Sequence, residues 1–324
     1  MPALAALLAL LLVACQGIGA GPTPTPTTEP TAEGAYPLEL VDDEGTTVKL
    51  AARPLRIVSL TPATTELVFA LGAGDRLVGR GDYDDYPPAA AGVPGVAAFT
   101  GVNHEALVAL EPDLVLAGGN NFTPAEDVRR IRGLGTPVIV VYAETVEEVL
   151  KDMLLVGRAV NAEPAAQAML GGMTARLDEV TAAVEGLARP RVFYQIGSEP
   201  QIYGPAPDSF ISDLVSLAGG DPITTTDPAV FEISVERLVE QDPQVIVLGD
   251  AQWGVCPADV AARTAWQSMT AVRTGDIRPV NDTLVTRPGP RLAEGLAALA
   301  LAIHPDAAIT PPTDEMALCA EAGG

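Results

Sequence analysis

Histidine is almost missing from this chain: His104 and His304 are the two that it has in 324 residues. Together with three scattered cysteines, they cannot assemble a first-row metal cluster, and no Cys/His spacing matches a zinc site. The same scarcity leaves few general bases near neutral pH. No phosphate-cradling loop and no nucleophile elbow occurs, and Gly72-Ala73-Gly74 lacks a third glycine and follows a helical stretch, so it is no dinucleotide fingerprint. Catalysis is reduced to carboxylates alone, and the chain reads as a non-enzyme with neither cofactor nor metal. Basic residues are also few, 19 against 42 acidic for a formal charge of −23, which excludes nucleic acid and anionic lipid as partners of the folded part. The apolar first fourteen residues fall short of the about 20 that a membrane span needs.

Those residues have instead the length of the hydrophobic part of a signal peptide, 1–14. Leu12-Val13-Ala14-Cys15 resembles the bacterial lipobox, in which the cysteine is lipidated and becomes the mature N-terminus. The alternative is an ordinary signal peptide with Cys15 incidental, and no Lys or Arg precedes the apolar run. Residues 22–30 (PTPTPTTEP) cannot bury a core and favour extended polyproline conformations, so 15–37 reads as a tether. With Cys15 lipidated, Cys256 and Cys319 are an even pair in an exported chain, either a disulfide or two free thiols.

Residues 38–324 exceed one typical domain and suit two lobes. Strand-like runs at 56–60, 77–79, 114–117 and 138–141 alternate with helical spacing at 63–71, 103–110 and 124–134, which implies a parallel sheet in a first lobe, 38–145. Helical spacing then continues over 146–187, broken near Asn161 and restarted at Pro164, a proline suited to a first turn. These linking helices, 146–188, would join the lobes stiffly. A second lobe, 189–305, repeats the pattern, with strands at 191–195, 245–248 and 277–280 and helices at 210–218, 234–240 and 291–303. Residues 306–324 read as a loose tail unless Cys319 ties them down.

The lobes contain an internal repeat. Residues 103–117 (NHEALVALEPDLVLA) and 234–248 (SVERLVEQDPQVIVL) each place a capping residue, Asn103 or Ser234, two positions before a glutamate. Proline follows that glutamate seven residues later, and then a β-branched run. Glu105 and Glu236 therefore occupy equivalent first turns. Either they form a paired docking surface, or each simply answers the helix macrodipole.

Residues 56–79 (RIVSLTPATTELVFALGAGDRLVG), 83–88 (YDDYPP), 192–195 (VFYQ), the Glu236 segment and 287–291 (RPGPR) follow in the order seen in substrate-binding proteins of ABC importers for cobalamin, haem and ferric siderophores. The resemblance runs through 38–305 and is nearest to the cobalamin-binding members. It implies an α/β fold of two similar lobes with parallel-type sheets, joined by one long rigid helix, with the ligand in the cleft between them. It also implies that Glu105 and Glu236 dock on arginines of a permease dimer that works with ATPase subunits, and that the protein is a monomer held outside the cytoplasmic membrane by its lipid. Loops at the carboxyl ends of the strands line ligand sites in open α/β sheets, and Tyr83, Phe99, Asn120, Tyr203, Trp253 and Arg287 fall in them. In a chain only 4% aromatic, such residues suit a large flat macrocycle. The positions of Tyr83 and Phe99 are an aromatic pair against the ligand in cobalamin-binding relatives. Two of their tryptophans are missing here, at Gly118 and near Val230. Cobalamin is the expected ligand, with haem or a ferric siderophore as the alternative. Haem would take Tyr83, Tyr86 or Tyr203 as axial ligand, with His104 turned toward the permease beside Glu105. A siderophore would require several cations, of which Arg287 is the obvious one.

Overall fold

A hairpin that the sequence periodicity did not mark opens the fold: β1 (Leu38–Val41) and β2 (Thr47–Leu50) pair antiparallel, with Leu40 opposite Val48. The computed structural model describes residues 36–98, 101–119, 122–313 and 318–319. The signal peptide, Cys15, the start of the tether, Phe99 and Asn120 lie outside the described residues. Asp42 closes the hairpin turn by accepting the Thr46 N–H at 2.8 Å, and the same buried carboxylate accepts Arg132 Nη2 at 2.7 Å and the Val140 N–H at 3.2 Å. The hairpin is thereby fastened to the first lobe.

That lobe continues through β3 (Ile57–Ser59), α1 (Pro62–Ala70), β4 (Leu77–Gly81), β5 (Gly95–Ala98), β6 (Gly101–Val102), α2 (His104–Ala109), β7 (Leu114–Gly118), α3 (Ala125–Gly133) and β8 (Val138–Val141). Its six-stranded sheet has the order β6-β5-β4-β3-β7-β8. All neighbours are parallel except β5 and β6, so the edge strand departs from the expected parallel pattern. The central strands β3 and β7 are buried throughout, which is why their uninterrupted apolar runs were legible in the sequence.

Two helices leave this lobe. α4 (Val146–Ala159) starts from a capping box in which Thr145 Oγ1 accepts the Glu148 N–H and Glu148 Oε2 accepts the Thr145 N–H, both at 3.2 Å. Asn161 at φ 57° turns the chain, and α5 (Glu163–Val184) restarts with Pro164 in its first turn. Its 22 residues extend for about 33 Å. The second lobe follows as β9 (Arg191–Gln195), α6 (Phe210–Leu217), β10 (Asp221–Pro222), α7 (Val235–Gln241), β11 (Val245–Leu248), α8 (Pro257–Ala261), α9 (Thr270–Thr274), β12 (Ile277–Pro279), α10 (Asp282–Val285) and α11 (Leu292–Ile303). Its four strands are all parallel, in the order β10-β9-β11-β12.

The linking helices are not a free rod. One continuous core takes in Ile57 and Leu67 from the first lobe, Met153, Met173 and Val180 from α4 and α5, and Tyr194, Val247 and Leu296 from the second. Each such burial is worth about 1.5–3 kcal/mol, so hinging the lobes apart at these helices would expose a shared core. Smaller cores lie beyond each sheet, around Val58 and Val115 in one lobe and around Phe193 and Trp266 in the other. The described residues after Pro305 are also tied in. Ile309 is buried in the shared core, Arg176 donates to the Thr310 carbonyl, and Cys319 is bonded to Cys256 with Cα atoms 5.6 Å apart.

α11 crosses α10 closely enough that a Cβ at Gly295 would stand 2.0 Å from the Leu284 carbonyl oxygen. Because backbone rather than a flexible side chain is in the way, Gly295→Ala is expected to destabilise the fold by about 2–4 kcal/mol. Chemical denaturation measures it; a loss below about 0.5 kcal/mol would show that α10 moves aside without strain.

Candidate functional site

The carboxyl ends of the two sheets face each other, and ion pairs join them. Thr61 caps α1 through its side chain, which accepts the Thr64 N–H, and α1 carries Glu66 directly after β3. Arg291 grips that carboxylate with both arms of its fork, Nε to Oε2 at 2.9 Å and Nη2 to Oε1 at 2.7 Å. Arg287 adds a bond from Nη1 to Oε1 at 2.9 Å, and the same nitrogen reaches Asp85 Oδ1 at 2.7 Å. The Arg291 guanidinium also lies 3.8 Å from the ring centroid of Tyr86. Glu66, Asp85 and Tyr86 follow β3 and β4 in the first lobe, and both arginines follow β12 in the second. Gly289, between the arginines, comes so near α1 that its Cβ would contact Ala63 at 3.4 Å. The Glu66 side chain is 2% exposed; burial pulls the Arg287 charge down, but its bonds to Asp85 and Glu66 outweigh this and hold it firmly protonated.

Those of the expected aromatic residues that are described stand on loops that follow strands. Tyr83 follows β4 and is 51% exposed, and Trp253 follows β11 and is 78% exposed. Tyr203 is half-buried, bridging Gly197 on one side and Glu232 on the other just beyond β9. Arg287, also expected to meet the ligand, bonds to Glu66 and Asp85. Tyr86, named in the sequence only for the haem alternative, is also exposed, and two further exposed aromatics went unassigned there, Phe122 and Phe231. Phe122 packs over Gly118, where an added Cβ would meet its Cβ at 2.8 Å. An aromatic therefore does return in the loop after β7, displaced along the chain from the missing tryptophan. Phe231 similarly adjoins Val230, near the other lost tryptophan. Aromatic type in a loop after a strand was the available signal for both. An open cavity of about 450 Å³ lies elsewhere, lined by Thr181, Arg189 and Ser216 near the amino end of β9.

The repeated helices have the expected caps. Asn103 Oδ1 accepts the Ala106 N–H at 3.1 Å and Ser234 Oγ accepts the Arg237 N–H at 3.2 Å. Each helix ends in a residue at φ 45°, Glu111 or Asp242, immediately before proline. Glu105 and Glu236 are exposed in their first turns. His104 departs from expectation. Its ring turns inward, Nε2 meeting Asp127 Oδ1 at 2.6 Å, while Asp127 Oδ2 accepts the Val102 N–H. It pins α2 to α3 instead of facing outward with Glu105, because the first helical position points back toward β6.

Buried carboxylates support the loops. Asp250 accepts both bonds of the Gln195 amide and one from Ser198, and Asp282 accepts the Tyr194 hydroxyl at 2.8 Å. Burial raises the Asp282 carboxyl above its usual range and the Tyr194 phenol well above its own. No group of three or more His, Cys, Asp or Glu among the described residues could hold a metal ion. Asp84, next to Tyr83 and Asp85, is 1% exposed; burial pushes its carboxyl up to about 6 although Thr65 and the Gly81 N–H donate to Oδ2, and Oδ1 has no partner. A folded value above the unfolded one means that the contribution to stability is complete below about pH 4 and is lost as pH rises through about 6, at most about 3 kcal/mol for two units. Asp84→Asn is therefore expected to gain on the native protein by up to that amount between pH 4 and 7. Urea unfolding at both values measures this, and a pH-independent difference would mean that Asp84 is already ionised in the fold.

The comparisons agree with this architecture. The chain is 30% identical over 276 residues, 84% of its length and 87% of the relative's, to an uncharacterized ABC transporter substrate-binding lipoprotein, YvrC, of Bacillus subtilis (strain 168). It is 32% identical over 281 residues, 83% of this chain and 75% of the relative, to a cobalamin-binding protein of Halobacterium salinarum. A periplasmic heme-binding protein from Pseudomonas aeruginosa superposes with a TM-score of 0.68 at 27% identity, over 80% of this chain and 96% of that one. The family model described as periplasmic binding protein matches residues 57–282, the span from β3 to the start of α10 that holds both sheets and the first-lobe side of the junction, and the chain belongs to that family.

Proposed function

We propose that this protein captures a cobalamin-type corrinoid outside the cytoplasmic membrane and delivers it to the permease dimer of an ABC importer. The observation that carries this reading is the set of exposed aromatics, Tyr83, Tyr86, Phe122, Phe231 and Trp253, on loops at the facing carboxyl ends of two sheets. Exposed aromatics cost solvation unless something flat and apolar covers them, and a corrin ring does so. Asn120, in the same loop as Phe122 by sequence, and Phe99, between β5 and β6 by sequence, complete the proposed contact set with Tyr203. Arg287 contributes through the outer edge of its ion pair. The cobalamin-binding name of the Halobacterium relative supports the ligand, and the lipoprotein name of YvrC supports lipidation at Cys15. No helix of the described residues is long and apolar enough to cross a membrane, so the lipid would be the attachment. The protein acts as a monomer and as a carrier, not an enzyme; the corrinoid is cargo and no resident cofactor is needed. Exposed Glu105 and Glu236 supply the docking charges for arginines of the permease, whose ATPase subunits drive import.

Isothermal titration with cyanocobalamin tests the ligand. Saturable binding is expected, and Tyr83→Ala or Trp253→Ala should each weaken it by about 1–3 kcal/mol; absence of any binding would overturn the reading. Reversing both docking charges, Glu105→Lys with Glu236→Lys, should abolish uptake by cells while leaving the titration unchanged, since like charges would then meet at each permease pocket. Uptake at the native rate would remove the docking assignment.

A further inference from the structure

The ion-pair junction has a consequence for what the cleft accepts. Two arginines stand where a ligand carrying carboxylates would look for partners, and both are already matched, Arg291 by the bidentate Glu66 and Arg287 by Glu66 and Asp85. Two positive and two negative groups leave this wall formally neutral. Other arginines at the same ends of the sheets are similarly engaged. Arg80 donates to the Ala90 and Gly81 carbonyls, and Arg263 donates to Gln195 Oε1 at 2.9 Å while stacking on Trp266. The two lysines on well-defined elements, Lys49 and Lys151, pair with Glu39 and Glu147. The loops meanwhile bring Asp82, Asp84 and Asp85 after β4, Asp250 after β11 and Asp282 after β12. An anionic ligand would leave its own hydration and find carboxylates, with no cation to repay it.

We infer that Glu66 and Asp85 are specificity-determining residues: by neutralising Arg287 and Arg291 across the cleft, they exclude ligands with peripheral carboxylates and leave the site to macrocycles whose rim is uncharged. This deepens the reading above and rests on it for the position of the ligand. A corrinoid, with carboxamides around its ring, satisfies the condition. Haem, with two propionates, and anionic ferric chelates do not. Asp85 is the adjustable half of the device, its side chain 69% exposed against 2% for Glu66, so it can be changed with little consequence for folding.

The experiment titrates the native protein, Asp85→Asn and Glu66→Gln with cyanocobalamin, haem and haem dimethyl ester, whose propionates are uncharged, at low and high salt. The native protein is expected to bind the ester at least about tenfold more tightly than haem. Asp85→Asn should narrow that preference several-fold and Glu66→Gln should reverse it, the haem gained being lost again at about 1 M salt. Thermal unfolding of each variant shows whether it is folded; should Glu66→Gln unfold, the Asp85→Asn arm decides alone. Native preference for haem over its ester, or variants that gain no haem, would overturn the inference whatever happens with cobalamin. Failure of cyanocobalamin to bind while the ester preference and its reversal persist would overturn only the ligand reading.

Discussion

A single buried carboxylate organises this molecule. Glu66 is covered on every side, and in that environment a lone negative charge would cost several kcal/mol. It is tolerable because two guanidinium groups from the other lobe meet it, one of them as a planar fork that matches both oxygens. The arrangement requires α1 to present Glu66 at the carboxyl end of β3. It equally requires the turn between α10 and α11 to bring Arg287 and Arg291 to the same point, with Gly289 short enough to let the backbones approach. The two lobes are therefore registered against each other twice, apolarly along the linking helices and electrostatically at the mouth of the cleft.

These two fastenings serve different ends. The shared core around Met153, Val180 and Leu296 resists bending at α4 and α5, in line with a site that is largely formed before the ligand arrives. The junction lies among the loops and engages groups that a ligand would otherwise meet. Tyr86, held beneath the Arg291 guanidinium, joins the apolar and ionic parts of the wall. The chain as a whole is strongly acidic, with a formal charge of −23, which disfavours contact with anionic surfaces.

Much of the frame could be read from the chain. Strands at 138–141, 191–195 and 245–248 match β8, β9 and β11 residue for residue; in β8 and β11 a β-branched run buried in the sheet shows its whole length as apolar sequence, and in β9 Val192, Phe193 and Tyr194 stand out between Arg191 and Gln195. The caps at Asn103 and Ser234 were equally visible, since a cap is a local hydrogen bond between a side chain and the next turn. Short or half-exposed elements escaped. β1 and β2 are four residues each, too short for their alternation to stand out, β5 and β6 are built of glycine and alanine with single valines, and α8 to α10 are too short for a helical period to show.

What the sequence determined by itself was the repeat, the two capped glutamates, and aromatic residues in loops after strands, all of them local patterns. What tertiary structure decided was the fate of the charges. Nothing near Glu66 in the chain announces burial, because its partners are 221 and 225 residues away. Neither the bonds of Arg287 to Glu66 and Asp85 nor that of His104 to Asp127 is written in the local sequence. Charge pairing over such separations depends on which loops the sheets bring together, and a one-dimensional pattern does not encode that meeting.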